Sequence, residues 1–152
     1  MAALQGEDGL NYRERGAYLF LNPDGTVSLG PVKEGDPFVS GGVGSTGDLS
    51  YGGRDPAMII GSVHTHSVGN FLPSTAPNGG GDRGHLHSMV ATVSAAGGNG
   101  ADVRIYIAAQ TTPPADVDAY NAIHYYDADT IEGDIQANQP SIEVDPNGQA
   151  CP

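Results

Sequence analysis

The chemistry in this chain concentrates between residues 61 and 82, where Gly61-Ser62-Val63-His64-Thr65-His66 is followed by a glycine-rich stretch that closes on Asp82. The preceding run, Ala57-Met58-Ile59-Ile60, is apolar enough to be an interior strand. Residues two apart on a strand project to the same face, so the imidazoles of His64 and His66 would converge on one point. Two neutral imidazoles and a carboxylate, with one position left open, form the usual ligand set of a catalytic zinc ion. Asp82 is the carboxylate that the loop would return to the pair. Its competing role is to cap a helix, because an acid at that place also suits the free N–H groups and the dipole of a helix start.

Hydrolysis at such an ion needs two further groups, a carboxylate to carry the proton and a donor for the developing oxyanion. Ser74, at the end of the short Phe71-Leu72-Pro73 stretch, offers a hydroxyl in the same loop. For the proton-carrying carboxylate, spacing alone leaves Glu14, Glu34, Asp36, Asp48 and Asp55 open. A second His-x-His, His85-Leu86-His87, falls in a segment with helical periodicity, where residues two apart do not share a face. His85 lies one turn from Asp82, which makes it an alternative ligand or a group holding Asp82 in place. His87 reads as a solvent-facing residue, His124 as packing beside Ile123, Tyr125 and Tyr126, and Arg83 as exposed, within reach of a substrate carboxylate.

The elements that must position these residues follow from the pattern. Gly16 to Leu29 reads as a hairpin, with Ala17–Leu21 and Thr26–Leu29 as strands around Asn22-Pro23-Asp24-Gly25. Residues 30–56 read as a surface loop anchored at Phe38-Val39, and Ala57–His64 as the central strand. After the loop at 67–81, Leu86, Met89, Val90 and Val93 recur at helical spacing from Asp82 until Gly97-Gly98. Val103–Ala109 reads as a further strand, a helix is expected from about Ala115 to Tyr126 behind Pro113-Pro114, and a short strand at Ser141–Val144. The first eleven residues read as a lead-in, and the last 25 are weakly patterned. The order implies an α/β (α+β) domain over residues 1–152, with a mixed central sheet, an N-terminal hairpin and flanking helices.

Composition narrows the function classes. Six basic against eighteen acidic residues give a formal net charge of −12, which repels nucleic-acid backbones and anionic membranes and leaves no basic stripe for a phosphate backbone. A basic partner or a cation suits it better, although solubility alone accounts for such a charge. The single Cys151 leaves neither a disulfide framework nor a cysteine-rich zinc site, and no apolar run is long enough to span a bilayer. The N-terminus lacks the basic-then-apolar pattern of a signal peptide, which leaves localisation open between the cytoplasm and delivery by another route.

Over residues 12–109 the chain resembles the JAMM (MPN, JAB) zinc metallopeptidase domain, whose loop pattern is His-x-His-Pro, six residues, Ser, two residues, Asp, preceded well upstream by a catalytic Glu. His64-Thr65-His66 matches the pair, and the step from His66 to Ser74 is that of the family. Glu14-Arg15-Gly16-Ala17-Tyr18-Leu19, ahead of a strand, matches the upstream motif. The resemblance implies that His64, His66 and Asp82 bind Zn2+, that Glu14 is the general base and proton carrier, and that Ser74 stabilises the tetrahedral intermediate of peptide or isopeptide cleavage. Ser67 replaces the family's proline, and Pro77 stands where its Asp would fall; Asp82 follows Ser74 by eight residues, past Asn78-Gly79-Gly80-Gly81. With thirteen residues ahead of Glu14, the helix that normally precedes the Glu reads as missing or truncated. The glycine- and aspartate-rich, lysine-poor character is similar to divergent relatives found in bacterial secreted and polymorphic-toxin proteins. Two alternatives accompany this reading: an effector hydrolase acting on another substrate such as a cell-wall peptide, and an inactive scaffold that presents its acidic surface to a protein partner.

Overall fold

The Asn22-Pro23-Asp24-Gly25 turn is built as its composition demands. Gly25 takes a positive φ of 83°, and the Asp24 side chain accepts hydrogen bonds from the Thr26 N–H and hydroxyl. In the computed structural model, which describes residues 14–35, 49–66, 72–74, 81–109, 122–131 and 141–143, this turn joins β1 (Arg15–Leu21) to β2 (Val27–Leu29) as an antiparallel hairpin. The two-residue β3 (Lys33–Glu34) pairs with the start of the same strand, Arg15 opposite Glu34 and Gly16 opposite Lys33. Part of the segment read as loop is therefore a short strand edge.

Pro56–Met58 form a single 3-10 turn capped by the Asp55 side chain, so the central strand, β4 (Ile59–Thr65), starts two residues later than its apolar run and extends one residue further. Helix α1 (Gly81–Ala95) follows, buries Leu86, Met89 and Val93, and leads to β5 (Arg104–Ala109), which is parallel to β4. A parallel pair requires such a crossover, and the helix supplies it. β6 (Ala122–Tyr126) and β7 (Ser141–Glu143) complete a mixed seven-stranded sheet ordered β2-β1-β4-β5-β6-β7, with β3 beside β1. The α+β class and the mixed sheet expected from the sequence are present. Among the described residues there is one α-helix, and it is neither long nor apolar enough to cross a membrane.

The helix expected from about Ala115 to Tyr126 is a correction. Residues 122–126 are a strand in register with β5, from Ile105 opposite Tyr126 to Ala109 opposite Ala122. Ile123, Tyr125 and Tyr126 are β-formers, and pairing along the open edge of β5 outweighs the start signal that Pro113-Pro114 gives. Residues 110–121 lie outside the described part, as do the lead-in, the Phe38-Val39 anchor and Cys151.

Helix α1 packs over one face of the sheet, where Tyr18, Phe20, Ile105, Ile107 and Tyr126 join Leu86, Met89 and Val93 in the core. Two rows of paired residues cross this face. One is Tyr18, Ser62, Ile105 and Tyr126; the next is Gly16, His64, Ile107 and His124. The sheet thus places His64 beside a glycine on one side and an apolar isoleucine on the other, under the start of α1.

Candidate metal centre

His64 and His66 stand at the carboxyl end of β4, and both are buried. The His66 N–H donates to the Ala108 carbonyl at 2.9 Å, which carries the ladder with β5 one step past the strand and keeps both residues on one face. Their ring centroids are 4.7 Å apart, and the two Nε2 atoms meet at 2.9 Å. Asp82, the second residue of α1, spans the pair: Oδ1 is 3.0 Å from His64 Nε2 and Oδ2 is 3.3 Å from His66 Nε2. The carboxylate thus faces both histidines from the first turn of its helix.

Donor atoms of His64, His66 and Asp82 all lie within 4.8 Å of one another, close enough to hold one metal ion. Atoms each about 2.0–2.2 Å from a tetrahedral ion stand roughly 3.3–3.6 Å apart, close to the separations that link Asp82 to the two rings. Two neutral nitrogens and one anionic oxygen also match what a borderline-soft divalent cation takes. The group fits a metal by both position and donor type.

Electrostatics within the group are strong. Burial pushes the His64 imidazole down, but the hydrogen bond and charge of Asp82, aided by Glu14, outweigh it and hold the pKa above its ordinary value. Burial likewise raises Asp82, and the hydrogen bonds and charges of His64 and His66 outweigh it, leaving the carboxyl well below the usual carboxylate range. Asp82 thus stays ionised, and a cation entering the group displaces a proton.

Ser74 closes the joint that the glycine insertion opens. Its N–H donates to Asp82 Oδ2 at 2.6 Å, while its Oγ accepts from the Asp82 N–H at 3.1 Å. This reciprocal clamp fixes the carboxylate to a residue eight positions earlier. Gly81 makes it sterically feasible: φ is +70°, and a Cβ there would lie 2.6 Å from the Ser74 carbonyl oxygen. Residues 67–71 and 75–80 of the loop lie outside the described part.

Glu14 precedes β1, and its Oε1 is 4.0 Å from His66 Nε2 with the side chain 19% exposed. The chain on either side of this carboxylate is tied down. The Gly35 N–H donates to the Glu14 carbonyl at 2.7 Å, the Arg15 N–H to Thr65 Oγ1 at 3.0 Å, and the buried Arg15 guanidinium pairs with Glu34 at 3.1 Å. All five sequence-selected residues, Glu14, His64, His66, Ser74 and Asp82, are therefore neighbours. Of the other upstream acids, Glu34 is engaged by Arg15, Asp55 caps the 3-10 turn, and Asp36 and Asp48 lie outside the described residues.

His85 does not join the ligand group. Its Nε2 hydrogen-bonds with Ser62 Oγ at 3.2 Å, and its ring stacks on Tyr18 with centroids 5.9 Å apart. His87 is exposed, and Arg83 is half-buried beside Asp82. His124 is 7% exposed on β6, and burial lowers its pKa. Sequence reasoning missed Thr65 and Ser62. Thr65 lies between the two histidines and so faces the opposite side of β4; Ser62 is two residues before His64 and so shares its face. Strand alternation is the signal that identifies both.

Comparison with protein-family models, curated proteins and solved structures returned no match.

Proposed function

We propose that this chain is a zinc-dependent hydrolase with a JAMM-like fold that cleaves a peptide or isopeptide bond. The observation that carries the reading is the convergence of His64, His66 and Asp82 with the Glu14 carboxylate 4.0 Å from His66. The order hairpin, histidine-bearing strand, helix opened by an acid and parallel strand also supports the JAMM resemblance. A zinc ion held by His64, His66 and Asp82 would polarise the scissile carbonyl and lower the pKa of the attacking water.

The remaining chemistry belongs to the chain. Hydrolysis adds the water oxygen to the carbonyl carbon, breaks the C–N bond and returns a proton to nitrogen. Glu14 has a partly exposed carboxylate beside the ligand group; it accepts the proton from the water and delivers it to the leaving amine. His64 and His66 contribute neutral nitrogens, so the Asp82 charge offsets one of the two positive charges of the ion. Ser74 accepts the Asp82 N–H at its oxygen, which leaves its own hydrogen to be donated to the oxyanion. Its second role, clamping Asp82, makes it part of the metal support as well.

The test is peptide hydrolysis by the zinc-loaded protein with wild-type Glu14 and with Glu14→Ala. Hydrolysis that is lost in the variant while zinc is retained supports the proposal; an unchanged rate overturns it.

A further inference from the structure

Two links, not one, join the start of α1 to β4. The first is the Asp82 carboxylate on His64 Nε2 at 3.0 Å; the second is His85 Nε2 on Ser62 Oγ at 3.2 Å. Asp82 and His85 are three residues apart on the helix and share a side of it; Ser62 and His64 are two residues apart on the strand and share a face. Three residues of helix rise about 4.5 Å and two residues of strand about 6.6 Å, so the two links can form side by side as rungs between the same two elements. Ser62 is only 1% exposed and His85 is half-buried, so the second rung is largely shielded at its strand end.

That rung is braced laterally. Tyr18 is the register partner of Ser62 on β1, and its ring stacks on His85 at 26° between planes. Tyr51 stacks on Tyr18 in turn, with centroids 5.1 Å apart at 25°. A stack of three rings thus runs from the 49–51 segment across β1 to the first turns of α1. Asp82 joins the helix to β4 through the ligand group itself and to Ser74 through the reciprocal clamp. The second rung ties the helix to the strand one turn further on, without using any atom of the group.

We infer that His85 is a positioning residue of the metal centre: through Ser62 and Tyr18 it fixes the first turn of α1 so that Asp82 meets His64 and His66 in register. This rests on the proposed metal-binding reading of the site. Groups hydrogen-bonded directly to a metal ligand change affinity by about 10–100-fold, and His85, one bond further out, is expected at the lower end of that range.

Affinity for Zn2+ alone, measured on the full chain by competition with a chromogenic chelator, tests the inference when paired with thermal melts of the metal-free proteins. The expected result is zinc binding weakened about tenfold or more in His85→Ala and in Ser62→Ala, with the double variant no worse than His85→Ala, and affinity in His85→Gln within about threefold of wild type because its amide still reaches Ser62. Lower melting temperatures with unchanged zinc affinity would overturn the inference by making His85 merely structural. Loss of binding in His85→Ala with none in Ser62→Ala would also overturn it, because His85 would then be a ligand. Should His85→Ala fail to fold, Ser62→Ala and His85→Gln decide the matter. A wild-type chain that takes up no zinc, or one whose zinc survives Asp82→Ala, would instead overturn the metal-centre reading itself.

Discussion

His64-Thr65-His66 and His85-Leu86-His87 have the same spacing, but the first pair ends β4 and the second lies in the first turns of α1. On the strand, alternation brings both imidazoles to one side, with their Nε2 atoms 2.9 Å apart under one carboxylate. On the helix, the same step turns the two rings roughly 200° apart. His85 enters the interior against Ser62 and Tyr18, and His87 faces solvent. A His-x-His is thus a ligand pair only through the period of the element that carries it. In the helical pair, His85 faces Ser62 on β4 and His87 is exposed.

The largest effect expected from this contrast concerns the group next to the strand pair. Glu14→Gln removes the proposed proton carrier while leaving His64, His66 and Asp82 in place, and hydrolysis should fall about 10²–10⁴-fold while bound zinc stays near one equivalent. Substitution of the strand pair itself should act on binding. His66→Ala or Asp82→Ala should weaken zinc by about a hundredfold or more, exceeding the 10–100-fold typical of outer partners. A smaller loss, comparable to that of an outer partner, would erase the distinction between the two pairs.

pH sharpens the same distinction. His64 is raised above its ordinary 6.5, so its contribution to the stability of the metal-free chain is present below that value and lost as pH rises through its native pKa. Asp82 is depressed below 3.8, so its contribution is present above that value and lost as pH falls through its native pKa. Metal-free stability from this pair should therefore be greatest between 3.8 and 6.5. Zinc affinity should run the other way, rising by up to about tenfold per pH unit as His64 gives up its proton. Chemical denaturation from below 3.8 to above 6.5, and zinc titration over the upper part of that span, measure the two trends.

Gly81→Ala probes the joint between the loop and the helix. Its positive φ and the 2.6 Å approach to the Ser74 carbonyl predict a loss of about 1 kcal/mol or more in denaturant unfolding, with weaker zinc binding as the clamp on Asp82 loosens. The smallest effect belongs to His87→Ala, an exposed substitution expected to stay within about 0.5 kcal/mol and to leave zinc affinity unchanged.

Much of this arrangement was legible in the residues. The Asp24-Gly25 turn and the apolar, aromatic flanks around it specify the hairpin, and the Leu86, Met89 and Val93 spacing specifies α1, because both signals are local. The ligand strand could be placed to within two residues, since a continuous apolar run does not mark where a 3-10 turn at Pro56–Met58 ends and β4 begins. β6 escaped because its strand character depends on pairing with β5, a partner distant in sequence that periodicity cannot register. Within the site, residue type and spacing picked out His64, His66 and Asp82, which the fold brings together, and only the resemblance singled out Glu14. The Ser74 clamp, the Thr65 hydroxyl under Arg15 and the Ser62–His85 rung did not, because each joins residues through tertiary contact rather than through period.

Zinc stoichiometry of the wild-type chain, set beside that of His64→Ala, tests the central claim most directly. The predicted result is one tightly held equivalent in the wild type and none in the variant, with both proteins folded. A folded wild type that holds no zinc, or a variant that holds as much as the wild type, would contradict it.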